Sequence, residues 1–234
     1  MQLPEDRQPL IATLKRVAYH IKQTGAPFCL AGSFAVYARG GASCDHDIDF
    51  LIREKDAPLV LTALTEVGYR AEIPPEGWLV KVFEEDRLID LIYAPVQRKV
   101  TDVTFDHTDI IAVNACHMPV LSATELMIHK VLTWSAHTCD FARGLPVARS
   151  LREQIDWAAV RRETRHSPYA HAFLVLVDEL GIVSLTDVAA RSPARSLTDV
   201  ADRAVHGNGN GNGNGSGTTF AEAMVTTMAK ESTA

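Results

Sequence analysis

Two aspartates one residue apart open an otherwise apolar run, Asp47-Ile48-Asp49-Phe50-Leu51-Ile52, with His46 just ahead of it. Polar and apolar residues alternate over its first half, the period of a β-strand. Residues two apart on a strand point to the same face, so the Asp47 and Asp49 carboxylates project side by side. Charges that close repel, and a purely structural pair would lose stability or raise one pKa, whereas a divalent cation between the oxygens turns repulsion into ligation. A third acid, Asp90, sits inside Leu88-Ile89-Asp90-Leu91-Ile92, where a lone carboxylate is costly unless paired or bound to a cation. If the two strands are neighbours, three carboxylates converge at one edge of a sheet.

The rest of the chain supplies elements for such a sheet. Leu10, Ile11, Leu14, Val17, Ala18 and Ile21 recur three and four apart, predicting a helix over 9–23 that Thr24-Gly25-Ala26-Pro27 stops. Phe28-Cys29-Leu30-Ala31 is a short strand, Gly32-Ser33 a tight turn, and 34–38 the first turns of a second helix. Gly, Ser and Ala make 39–45 a loop. Asp56 is placed to cap a helix over 58–67, with Gly68 as its stop. Segments 78–83 and 88–93 are β-prone and separated by Glu84-Glu85-Asp86-Arg87, which predicts an antiparallel hairpin. A strand over 117–121 leads to Ser122-Ala-Thr-Glu125, the spacing of a capping box, ahead of a helix reaching about Ser135. Helices are then expected over 147–155, 157–165 and 167–180.

The expected fold class is α+β: a small mixed sheet flanked by helices, then a helical C-terminal half and a flexible tail. The expected division is a core over 1–115, a mainly helical substrate or partner region over 116–206, and a tail over 207–234. The tail opens with GNGNGNGNGSG at 207–217, a composition that buries no apolar surface, and one weakly amphipathic helix after it is too short to persist undocked.

A formal charge of -6 gives the chain no global positive field of the kind a passive nucleic-acid binder uses. No apolar run reaches the ~18 residues of a membrane span and the first residues carry acids where a signal peptide is basic, so the expected setting is cytoplasmic. Cys29, Cys44, Cys116 and Cys139 form no CxxC pair and are expected to be reduced, mostly buried thiols. His137 and Cys139 offer two metal ligands without a second pair of matching spacing.

Gly32-Ser33 supplies what an acid cluster of this kind needs beside it. Glycine lets a backbone approach closely, the amides that follow can point at anions, and Ser33 adds a hydroxyl donor. Leu-Ala-Gly-Ser, a spacer, His-Asp-Ile-Asp-Phe and then a hydrophobic-Asp-hydrophobic strand resemble the signature of the DNA polymerase β-like nucleotidyltransferase superfamily over about 28–93. Segments 31–41 and 139–157 resemble small bacterial nucleotidyltransferase-domain proteins, a group similar to abortive-infection toxin and antibiotic nucleotidyltransferases. The resemblance implies Asp47, Asp49 and Asp90 as ligands of two Mg ions, with Mn the alternative, and Asp90 as the group that activates an acceptor hydroxyl. It implies phosphate contacts at Gly32 and Ser33, and Lys130 stands where some relatives place a phosphate-binding lysine.

Several neighbours have two readings. Asp45 offers a second Asp-x-Asp register with Asp47, but His46 is a poorer core residue than Ile48, so Asp45 is read as loop capping or as a support behind the ligating acids. Arg39 is read either as a phosphate contact or as a surface residue. His46 is a substrate contact or a scaffold histidine, and Lys81 is read as facing solvent. Arg143, Arg149, Arg152, Arg161, Arg162 and Arg165 bias the helical half towards positive charge, most simply a solvated face. The functional expectation is a Mg-dependent enzyme that moves NMP from an NTP, ATP among the donors, to an acceptor hydroxyl on a tRNA, a protein or a small molecule, releasing pyrophosphate. The alternative is a catalytically silent nucleotide-binding regulatory module or toxin-antitoxin partner, and an antitoxin-like protein is an expected partner in a toxin system.

Overall fold

A mixed seven-stranded sheet in the order β3-β4-β5-β2-β1-β7-β6 organises the computed structural model, which describes residues 8–41 and 47–184. The strands are β1 (Phe28–Leu30), β2 (Asp47–Ile52), β3 (Arg70–Glu72), β4 (Leu79–Glu84), β5 (Arg87–Ile92), β6 (Thr108–Val113) and β7 (Cys116–Leu121). The helices are α1 (Gln8–Gln23), α2 (Gly32–Ala38), α3 (Ala57–Glu66), α4 (Asp102–Asp106), α5 (Ala123–Leu132), α6 (Phe141–Leu151), α7 (Trp157–Glu163) and α8 (Pro168–Glu179). The expected tail at 207–234, with Cys44, Asp45 and His46, lies outside the described residues. No helix among the described residues is long and apolar enough to cross a membrane.

β2 lies parallel to β5 and antiparallel to β1, and β5 forms the expected hairpin with β4. On one face Ile48, Phe50, Ile52, Val80, Val82, Ile89 and Leu91 are all fully buried. Removing that much apolar surface from water, at about 25 cal/mol per Å², is what secures the central strands. Alternation sends Asp47, Asp49 and Leu51 of β2, Asp90 and Ile92 of β5, and Leu79 and Lys81 of β4 to the other face, so one set of strands carries a core on one side and charge on the other.

Helices α1 and α3 pack together. Glu84 ties α1 to the β4–β5 hairpin by accepting from Arg16 Nε at 2.7 Å, Arg16 Nη2 at 2.6 Å and Thr13 Oγ1. Asp56 stands at the N-cap of α3 as expected, yet its carboxylate makes no capping bond; Arg53 donates to it instead. Gly68, at φ +96, ends that helix.

In the helical half, α5 is the element on which α6, α7 and α8 pack. Ser122 Oγ accepts from the Glu125 amide, the expected cap. The helix expected from 147 begins earlier, at Phe141, and accommodates both Gly144 and Pro146. Gly144 is required there: a Cβ would stand 2.7 Å from the Trp134 ring, which packs 4.8 Å from Phe173 and 4.9 Å from Phe141, centroid to centroid. Of the three cysteines described, only Cys29 is buried, its thiol pushed up to about 12 by that burial; Cys116 is half-buried and Cys139 exposed, which corrects the expectation of mostly buried thiols.

Candidate active site

The parallel register of β2 and β5 sets Asp49 directly opposite Asp90, with Asp47 one alternation earlier on the same face. Each of the three offers a carboxylate oxygen, and these oxygens all lie within 4.8 Å of one another. Asp90 is buried, 7 % exposed, because its strand is inside the sheet and flanked by apolar neighbours, while Asp47 and Asp49 are half-buried on β2.

Gly32 begins α2 at φ +56, backbone that favours glycine, immediately against the acids. A Cβ built there would stand 1.7 Å from Asp49 Oδ2, so any side chain at this position would overlap the carboxylate. The Ala31 amide donates to the Asp49 carbonyl at 2.8 Å, which locks this turn to β2.

A cavity of about 670 Å³ opens over these groups. Gly32, Ser33, Asp47 and Asp49 line one part of it, Leu51, Trp78, Ile92 and Val96 an apolar part, and His129, Lys130 and Arg143 of α5 and α6 a wall rich in nitrogen. Lys130 thus shares the cavity with the acids, and its charge acts on Asp49. Asp90 does not line the cavity and reaches the cluster through its carboxylate.

Arg39 is elsewhere. Its Nε donates to the Leu121 carbonyl at 2.6 Å, and its Nη2 to the Val120 carbonyl at 3.0 Å and to Asp109 at 2.6 Å, with only 7 % of the side chain exposed. It fastens α2 to the β6–β7 edge and does not line the cavity. Lys81, read as facing solvent, instead donates to Asp90 Oδ1 at 3.3 Å. The signal for it was arithmetic: a hairpin closing on Glu84 and Arg87 puts Lys81 opposite Asp90. Arg143, Trp78 and His129 also join the cavity; Arg143 was read as a solvated face, and the other two carry no motif.

Electrostatics follow from this crowding. Burial first, then the charges of Asp47 and Asp90, push the Asp49 carboxyl up to about 7, against the pull of Lys81 and Lys130. Burial also raises Asp90, and Lys81 opposes that shift. Burial and the nearby Arg98 lower His129 to about 4, so its imidazole is neutral near pH 7. Three hard oxygen donors at this separation, one carboxyl resisting ionisation beside two others, are a donor set suited to divalent cations such as Mg or Mn.

The family profile described as uncharacterised nucleotidyltransferase matches residues 29–190, and the chain belongs to that family. The likeness to nucleotidyltransferases drawn from the 28–93 motifs is thereby borne out. Among solved structures, ANT(2'')-Ia in complex with adenylyl-2''-tobramycin superposes with a TM-score of 0.53 at 12% identity, covering 68% of this chain and 100% of that one. An antigenic nucleotidyltransferase-like protein from Paracoccidioides brasiliensis gives 0.49 at 12% identity, over 76% and 90% of the two chains. The lincosamide antibiotic adenylyltransferase LnuA, lincomycin-bound, gives 0.43 at 14% identity, over 63% and 96%. No curated protein matches the sequence.

Proposed function

We propose that the chain transfers NMP from an NTP to an acceptor hydroxyl, releasing pyrophosphate, with the reacting phosphorus beside Asp47, Asp49 and Asp90. The observation that carries this reading is the meeting of three carboxylates within 4.8 Å next to a glycine whose backbone touches one of them. Those acids would hold two Mg ions, or Mn, which supply polarisation of the phosphoryl group, a lowered pKa for the attacking hydroxyl and neutralisation of the departing charge. The turn at Gly32 and Ser33 binds the phosphates with its amides and the Ser33 hydroxyl, and Lys130 meets them from the α5 wall. Asp90 accepts the proton of the acceptor hydroxyl as its oxygen bonds to the α-phosphorus and the bond to pyrophosphate breaks. Positioning and charge do most of the work in such a transfer.

The acceptor we propose is a small hydroxylated molecule. A cavity of about 670 Å³ lies within the usual 300–1,000 Å³ of small-ligand sites. The net charge of -6 favours a cationic acceptor, and the fold match to a protein solved with adenylyl-2''-tobramycin is in keeping with it. Helices α5 and α6, which wall the cavity, then select the acceptor. The test is to incubate the protein with each labelled NTP, Mg and a cell extract, with Asp49→Asn alongside. Label is expected in a small-molecule fraction and absent with the variant, whose fold, followed by circular dichroism, stays intact. Label in tRNA or in a protein overturns the acceptor class, and full labelling by Asp49→Asn overturns the site.

A further inference from the structure

We propose that Lys81 is the positioning residue for Asp90, holding the third carboxylate in the row with Asp49 so that it stays turned into the cation-binding cluster. The inference rests on the nucleotidyltransferase reading above and adds to it a residue outside the acid triad. The ladders run Glu72, Lys81, Asp90, Asp49 across four neighbouring strands, so Lys81 flanks Asp90 on the side away from Asp49. Its Nζ is 3.3 Å from Asp90 Oδ1. Glu72, the other neighbour of Lys81 on this rung, is paired with Arg70. The ammonium reaches inward from a side chain one-third exposed to a carboxylate only 10 % exposed.

Without that ammonium, Asp90 would face two like charges within 4.8 Å with no counter-charge from β4 to offset them. A rotamer turned away relieves the repulsion and removes a ligand from the cluster. A lysine on a strand is well suited to prevent this, because the ladder fixes both Cα atoms and leaves only the side chains to move.

The experiment is a double-mutant cycle on the full chain, read by Mn²⁺ binding without nucleotide. Asp90→Asn in the wild-type background is expected to weaken Mn²⁺ binding about tenfold or more, since a charged ligand is lost. In the Lys81→Met background the same change is expected to cost less than about threefold, because Asp90 has already left the cluster. The charge lost with Lys81 itself is common to both arms of that comparison and drops out. Lys81→Arg is expected to restore the full effect of Asp90→Asn, and Lys81→Gln serves as a second neutral variant should Lys81→Met not fold. Pyrophosphate release by Lys81→Met is expected to fall about 10–100-fold in kcat with KM for the NTP nearly unchanged. Equal effects of Asp90→Asn in both backgrounds overturn the proposal, as does an equal loss in Lys81→Met and Lys81→Arg accompanied by lower melting temperatures. A wild-type protein that binds Mn²⁺ but releases no pyrophosphate overturns the transferase reading, while the cycle still decides the role of Lys81.

Discussion

Gly32→Ala tests the contact on which the site is built. The new Cβ would stand 1.7 Å from Asp49 Oδ2, 2.7 Å from Cγ and 3.1 Å from Cβ, where ordinary contact begins at 3.4 Å. Turning the carboxylate about its own bond leaves Cγ at 2.7 Å, so either the Asp49 side chain leaves its rotamer and swings its oxygens away from the cluster, or turn and strand separate by about 0.7 Å. Misplacement of that size costs about 100-fold in rate when it falls on reacting groups. A second cost is separate: alanine at φ +56 is strained by about 1–2 kcal/mol, which for a chain of this size lowers the melting temperature by roughly 2–8 °C. Gly25→Ala separates the two effects, since Gly25 has φ +75 and nothing within 4 Å of its ideal Cβ. Both variants are expected to melt lower, Gly32→Ala the more because the clash adds to the strain, and only Gly32→Ala is expected to lose pyrophosphate release about 100-fold or more. Equal turnover in the two variants would refute the argument that backbone proximity at Gly32 positions Asp49.

Two further outcomes follow from the charges. Saturating Mg or Mn, near 100 times the dissociation constant, is expected to stabilise the protein by about 2.7 kcal/mol and to raise its melting temperature, with Asp49→Asn largely abolishing the rise; no shift with any divalent ion would remove the acids from the role of ligands. Glu84 is held at about 2, below the ordinary 4.5, chiefly by the Arg16 guanidinium and then by Thr13 and Tyr69. A depressed carboxyl stabilises the fold above its unfolded value and loses that contribution as pH falls from about 4.5 to about 2. Since half of the Arg16 side chain is exposed, solvent screens the pair, and Glu84→Gln is expected to cost about 1 kcal/mol at pH 7 and to flatten the acid limb of the stability curve. An unchanged acid limb in that variant would contradict the depressed value.

Much of the central sheet was legible because its strands obey simple periods. β2, the β4–β5 hairpin and α1 each declare themselves by alternation or by a three-and-four spacing, and the acids of the cluster sit in those segments. β6 was illegible: it is an edge strand with Asp109 and Ile110 both exposed, so it shows no period. Its turn into β7 uses Asn114 and Ala115 at φ 47 and φ 67, without the glycine that announces such turns. β3 is three residues long, too short for any pattern. The first turns of α6 were hidden because Gly144 and Pro146 usually break helices, whereas here the packing of Trp134 and Phe173 outweighs propensity. Arg39 and Lys81 both find partners other than those read from the sequence, for a related reason. What a long cation does depends on which carbonyl or carboxylate the tertiary fold brings near it, and for Lys81 only the strand register reveals the partner.

Shared registry across β4, β5 and β2 leaves the chemistry hostage to a place it never touches. The tip of the hairpin, Glu85-Asp86, is solvent-facing and its residue types matter little to the acids, yet its length decides parity. One extra residue there has to be absorbed by a longer turn; passed into the ladder instead, it would bring Lys81 opposite Ile89 or Leu91 and turn its ammonium to the oily side of the sheet. Drift at this tip is therefore constrained less in spelling, apart from the left-handed backbone of Glu85, than in count, and a lineage that kept all the acids could still fall silent if an inserted residue passed into the ladder.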